Sequence, residues 1–162
     1  MSEKDKIVVL ADVSGSMVEK DGGSREGKTR FQLLIDALNG LPSSVTILAF
    51  SDAARQVRSI AEARPEGGTA LHLAIEAAVR FSPIRTVIIS DGEPDSEPQA
   101  LAAVEKLTGI VDVVYCGNPS NTHARTFLES LARAGAGGFY QTGDQVDVGK
   151  QLPAVIAGLL KA

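Results

Sequence analysis

With 162 residues, 44% of them apolar and 22% charged, the chain has room for one well-buried domain and the composition of a soluble globular protein. A net charge of −4 with both signs interspersed, 4% aromatics and no Trp supply neither a basic stripe nor a stacking platform, which argues against a nucleic-acid partner. The single cysteine, Cys116, cannot form an intramolecular disulfide. The start, Met1-Ser2-Glu3-Lys4-Asp5-Lys6, lacks a signal peptide's apolar core, and no run reaches transmembrane length, so the expectation is a cytoplasmic protein without a membrane partner.

The first apolar run, Ile7-Val8-Val9-Leu10-Ala11, reads as a strand buried on both faces, and it leads directly into Asp12-Val13-Ser14-Gly15-Ser16. Alternate side chains of an extended chain share a face, which would aim Asp12, Ser14 and Ser16 at one point beyond the strand's carboxyl end. Open α/β sheets bind their ligands on that rim, and donors that are all oxygen suit a hard cation such as Mg²⁺.

A polar, Gly-rich stretch over residues 18–28 separates this strand from a helix predicted by Phe31, Leu34, Ile35, Leu38 and Leu41, with Thr29 as N-cap and Asn39-Gly40 before Pro42 as its stop. Val45-Thr46-Ile47-Leu48-Ala49-Phe50 is a second strand, and residues 54–60, carrying Arg55 and Arg58, form an exposed edge strand joined to it by a turn. The loop Arg64-Pro65-Glu66-Gly67-Gly68-Thr69 feeds a helix with the apolar stripe Leu71, Ala74, Ile75, Ala78 and Val79, ended by Phe81-Ser82-Pro83. Another apolar strand, residues 85–90, stops at Asp91-Gly92-Glu93-Pro94-Asp95 as the first stopped at Asp12. A helix over 97–107, a strand over 110–116, a helix capped by Asn121 or Thr122 and stopped by Gly135 to Gly138, a short strand over 138–141 and a last helix over 146–160 complete the chain. The alternation predicts a single α/β domain over residues 1–162. Its sheet is Rossmann-like, doubly wound, six-stranded and mainly parallel, with one antiparallel edge strand and helices on both faces.

Parallel strands end on a common rim, so the loops carrying Asp12, Ser14 and Ser16, then Thr69, then Asp91 can meet there with two carboxylates and three hydroxyls. In those five positions the chain resembles the von Willebrand factor A domain family, whose metal-ion-dependent adhesion site is Asp-x-Ser-x-Ser, then a Thr, then an Asp. The resemblance runs from Ile7 to about Leu160 and is to the stand-alone bacterial type. It implies Mg²⁺, with Mn²⁺ or Ca²⁺ as alternatives, held mainly by hydroxyls while the carboxylates act largely through water. It further implies an adaptor without enzymatic turnover, in which the ion captures an Asp or Glu of a partner protein, as in family members that work with ATPases, kinases or phosphatases.

Two other readings lie on the same residues. Asp-x-Ser-x-Ser alone can be a turn held by Asx and Ser hydrogen bonds. Gly22-Gly23-Ser24-Arg25-Glu26-Gly27-Lys28-Thr29 satisfies the phosphate-loop pattern, and with Asp91 it would make a nucleotide-binding protein or NTPase. Context opposes the latter, because a phosphate-cradling loop springs directly from a strand, whereas Asp12 to Asp21 intervene here. Glu93, Asp95 and Asp52 lie on rim loops and read as solvated acids, with tuning of partner choice as the alternative; His72 reads as solvent-facing, His123 as a first-turn helix residue, and Cys116 as a small buried hydrophobe.

Overall fold

The computed structural model describes residues 6–18, 29–39, 41, 44–118, 120–141 and 158. Six strands, β1 (Ile7–Asp12), β2 (Val45–Phe50), β3 (Ala54–Val57), β4 (Arg85–Ser90), β5 (Ile110–Tyr115) and β6 (Ala136–Gln141), form one sheet in the order β3-β2-β1-β4-β5-β6. Every neighbouring pair is parallel except β2 with the edge strand β3, which is the predicted mixed, doubly wound arrangement.

The continuous apolar strands divide their side chains between two cores, because successive residues of a strand face opposite ways. Val9, Ala11, Ile47, Val87 and Ile89 pack on one face beneath α1 (Arg30–Leu38). Val8, Leu10, Leu48, Ile88 and Val113 pack on the other beneath α2 (Leu71–Val79), α3 (Glu97–Val104) and α4 (Thr122–Ala134). Thr29 caps α1 through a capping box, its hydroxyl accepting from the Gln32 N–H at 3.0 Å while Gln32 Oε1 accepts from the Thr29 N–H at 2.8 Å. Asn121, not Thr122, caps α4, its Oδ1 accepting from the Ala124 N–H at 3.1 Å. At the far edge, buried Asp112 on β5 pairs with Arg85 on β4 and accepts from the Gly138 N–H at 2.9 Å, tying β6 to the sheet.

Element ends differ from expectation where tertiary contacts decide them. The edge strand stops at Val57, because Ile60 turns inward as part of a short 3₁₀ turn, Ile60–Glu62, and is buried in the α1-side core. The helix predicted over 97–107 ends at Val104. The last strand begins at Ala136, two residues early, with Ala136 at a positive φ of 58°. The helix predicted over 146–160 lies outside the described residues apart from Gly158, which is helical.

Ile88, fully buried at the middle of the central strand β4, carries the packing of the three-helix side. Ile88→Ala should lower the unfolding free energy by about 2–5 kcal/mol, read as a lower urea midpoint at an unchanged slope.

Candidate metal centre

β1 and β4 are neighbours in register, with Ala11 beside Ile89, so the two acid-tipped strands end together in the middle of the sheet. Asp12 is fully buried and Asp91 nearly so. Both Asp12 oxygens are engaged: Oδ1 accepts from the Ser14 N–H at 2.8 Å and Oδ2 from the Ser90 hydroxyl at 2.8 Å. The first of these is an Asx bond to the residue two positions on, so the turn reading of Asp-x-Ser-x-Ser is correct as far as it goes.

The serines converge by a different route from the one their alternation suggested. The chain leaves the extended conformation after Asp12 and coils into a 3₁₀ turn, Gly15–Val18, closed by Met17 N–H donating to Ser14 C=O at 3.0 Å and anchored by the fully buried Met17. Coiling brings Ser14 Oγ within 3.1 Å of Ser16 Oγ, and the Ser16 hydroxyl donates to Asp91 Oδ2. The loop after β1 thereby closes onto the end of β4.

The third loop is fastened to the first. Gly15 N–H donates to Gly67 C=O at 3.1 Å and Glu66 N–H to Val13 C=O at 3.0 Å. Thr69 follows two residues later and is buried. Its backbone is gripped from both sides by Asp95, whose Oδ1 accepts from the Thr69 N–H at 2.9 Å and whose own N–H donates to Thr69 C=O at 2.8 Å. Asp52 Oδ1 accepts from the Gly68 N–H at 2.7 Å. Gly67 sits at φ +76°, and a Cβ on Gly68 would stand 2.9 Å from Asp52 Oδ1 and 3.0 Å from Asp95 Oδ1, so this pair must be glycine for the carboxylates to close on the turn. Gly15 has no such requirement, since a Cβ there would meet only Gly67 C=O at 3.5 Å.

The structure thus assembles Asp12, Ser14, Ser16 and Asp91 directly and brings the Thr69 turn against their loop. Four further residues contribute: Ser90 and Arg30, which went unread in the sequence, and Asp52 and Asp95, which there read only as rim-loop acids. Asp52 and Asp95, expected as solvated acids, are exposed yet hold the Thr69 turn, and Glu93 accepts from the Asn121 side chain at 2.9 Å. Arg30 is buried, with Nη1 3.0 Å from Asp91 Oδ2 and 3.3 Å from Ser16 C=O. The sequence carried only a weak signal for it: an arginine at the first position of a helix is mildly disfavoured by the helix dipole, which a nearby anion offsets. Of the phosphate-loop string, residues 22–28 lie outside the described residues, and Thr29 serves as the α1 cap. His72 is half-buried rather than solvent-facing, His123 pairs with Glu97 on the surface at 2.9 Å, and Cys116 is buried with its thiol pushed up by desolvation and by Asp91 and Asp12.

The electrostatics show what the cluster is short of. Burial first, and the neighbouring Asp91 charge second, push Asp12 up to about 7 despite the hydrogen bonds from Ser14 and Ser90 that favour its charged form. Asp91 Oδ1 is buried and has no donor among the described residues. Two interior acids with an unmatched oxygen beside hydroxyl oxygens fit a divalent cation, which would offset both the desolvation and the mutual repulsion. Among the described residues no group of three or more His, Cys, Asp and Glu converges, so hydroxyls must complete any such site.

No family model and no curated protein matches the chain. Its fold is similar to that of a solved aerotolerance-related membrane protein from Bacteroides fragilis carrying multiple mutations to serines, at a TM-score of 0.74 and 18% identity over 96% of this chain and 98% of that one. It is likewise similar to BatB, a conserved hypothetical protein from Bacteroides thetaiotaomicron, at a TM-score of 0.62 and 18% identity over 97% and 99% of the two chains. At that identity the likeness establishes the α/β fold, and function rests on the site. No helix among the described residues is long and apolar enough to cross a membrane.

The Asp12 environment has a pH signature. Its folded-state value of about 7 lies above the ordinary 3.8, so between these the native state binds the extra proton and this group's contribution to stability falls as pH rises. In EDTA, the difference in melting temperature between wild type and Asp12→Asn should shift against wild type on going from pH 5 to pH 8, by the equivalent of a few kcal/mol at most. A difference that stays flat across that range would contradict the assignment.

Proposed function

We propose that this chain is a von Willebrand A-like domain that binds a partner protein through a divalent cation, held by Asp12, Ser14, Ser16, Thr69 and Asp91. The observation that carries this reading is the buried Asp91 oxygen without a donor among the described residues, set beside a second buried acid and two serine hydroxyls within reach of one another. Bound there, Mg²⁺ supplies a Lewis-acidic centre for an incoming Asp or Glu of the partner. The chain's own groups organise that centre. Asp12 fixes the Ser14 backbone and the Ser90 hydroxyl, Asp91 orients Ser16, and Asp52 with Asp95 holds the Thr69 turn. Such outer contacts set the direction of donor oxygens and hence the selectivity of a hard-cation site.

The role is that of an adaptor with no turnover of its own. His123 is engaged with Glu97, and Cys116 is buried with its thiol held protonated, so neither offers an activated nucleophile or base at the cluster. A partner of the ATPase, kinase or phosphatase kind fits the resemblance, and a reducing, cytoplasmic setting fits the lone thiol.

Calorimetric titration with MgCl₂ should give a saturable signal for wild type and none for the Ser14→Ala, Ser16→Ala double variant, which should keep the wild-type circular dichroism spectrum. Capture of a partner from native lysate should be lost in EDTA and restored by Mg²⁺. Binding of Mg²⁺·ATP that survives the double serine change but fails in Lys28→Ala would replace this reading with nucleotide binding.

A further inference from the structure

Arg30 is the feature that the proposed site does not absorb. Its side chain is 7% exposed and that of Asp91 is 2%, so their contact at 3.0 Å is a buried ion pair, where charge matters most. The guanidinium comes from the first residue of α1, against the dipole of its own helix, and Nη1 also reaches Ser16 C=O in the loop that carries two of the hydroxyls. Arg30, Asp91 and Ser16 then form one wall of an open cleft of about 370 Å³, whose lining also includes Glu93, Asn118 and Asn121.

From this geometry we infer that Arg30 is a built-in counter-cation that sets the charge of the site. It competes with the metal for Asp91 and makes the metal-loaded site prefer a carboxylate. This rests on the cation site proposed above. Among the buried charges of the described residues, with Asp12 and Asp91 both ionised, Arg30 leaves the cluster one negative charge in excess. A divalent ion reverses this to one positive charge in excess, and a carboxylate from the partner then brings the sum to zero. Without Arg30 the two acids and the divalent ion would already be neutral, and an added carboxylate would leave a net negative charge in a buried setting. Arg30 therefore weakens the hold on the ion alone and strengthens the hold on ion and carboxylate together, so partner and metal bind with positive coupling. The cleft beside Asp91 is the approach for the incoming acid, with the guanidinium in its wall.

Mn²⁺ binding to the full chain, measured by calorimetry and electron paramagnetic resonance, tests this, with acetate as the carboxylate probe on the loaded protein. Arg30→Met and Arg30→Gln should each bind Mn²⁺ about tenfold more tightly than wild type, and acetate several-fold more weakly, while Arg30→Lys stays near wild type on both. Arg30→Gln, which keeps hydrogen-bond donors, decides the matter if Arg30→Met does not fold. A merely structural arginine predicts weaker Mn²⁺ binding on its loss. Wild-type binding that disappears in the double serine variant but is unchanged or weakened in the neutral Arg30 variants would overturn this inference and leave the cation site standing. Mn²⁺ taken up by Arg30→Met but not by wild type would support it in stronger form. Absence of Mn²⁺ from all variants would remove both.

Discussion

Asp12 and Asp91 end adjacent central strands and lie buried in one another's field, an arrangement that folding alone would disfavour. Isolated carboxylates in an apolar interior cost several kcal/mol each unless hydrogen bonds or opposite charge compensate. The surrounding structure reads as that compensation: the Ser14 amide and Ser90 hydroxyl on Asp12, the Ser16 hydroxyl and Arg30 on Asp91. These donors come from one loop, a strand end and a helix start, so the pair of acids ties together the middle of the carboxyl rim. It still falls short, with one Asp91 oxygen unmatched among the described residues.

Topology makes the pairing unavoidable. β1 and β4 are parallel neighbours although more than seventy residues separate Asp12 from Asp91, and α2 must start on the same rim to lie over the face that Val8, Leu10 and Ile88 expose. The turn before α2 is therefore delivered to the site by the crossover itself. What the crossover does not supply is precision, and two exposed acids supply it: Asp52 from beyond β2 and Asp95 from beyond β4 clamp successive amides of Gly68 and Thr69. Each carboxylate closes where a side chain on Gly67 or Gly68 would stand.

This division explains what could be read from the residues. The strands were legible because each is an unbroken apolar run, and their order followed from the alternation of strands and helices. Asp12, Ser14, Ser16, Thr69 and Asp91 were legible as oxygen donors at strand and helix ends. The means of convergence was not, since an extended chain and a 3₁₀ turn can both bring Ser14 and Ser16 together and the sequence pattern does not separate them. Asp52 and Asp95 escaped because their partners are backbone amides of a distant loop, which no side-chain pattern records. Ser90 was hidden as the last residue of a strand. Arg30 was hidden at the head of a helix whose apolar stripe drew the reading elsewhere, and its burial depends on an acid sixty-one residues away.

The charges also bear on how metal and proton are related. Burial and the Asp91 charge, which push Asp12 up to about 7, favour a proton there, and that proton offsets one of the two buried acids beside Arg30. A cation entering the proposed site must displace this proton, so its apparent affinity should rise with pH through the neutral range. The incoming ion thus meets two rivals of different kinds, a proton on Asp12 and a guanidinium on Asp91. The proton can leave for solvent, whereas Arg30 is covalently tethered and remains beside the ion. Only the second would therefore persist as an excess positive charge once the proposed site is loaded, which is the property that the proposed capture of an acid requires.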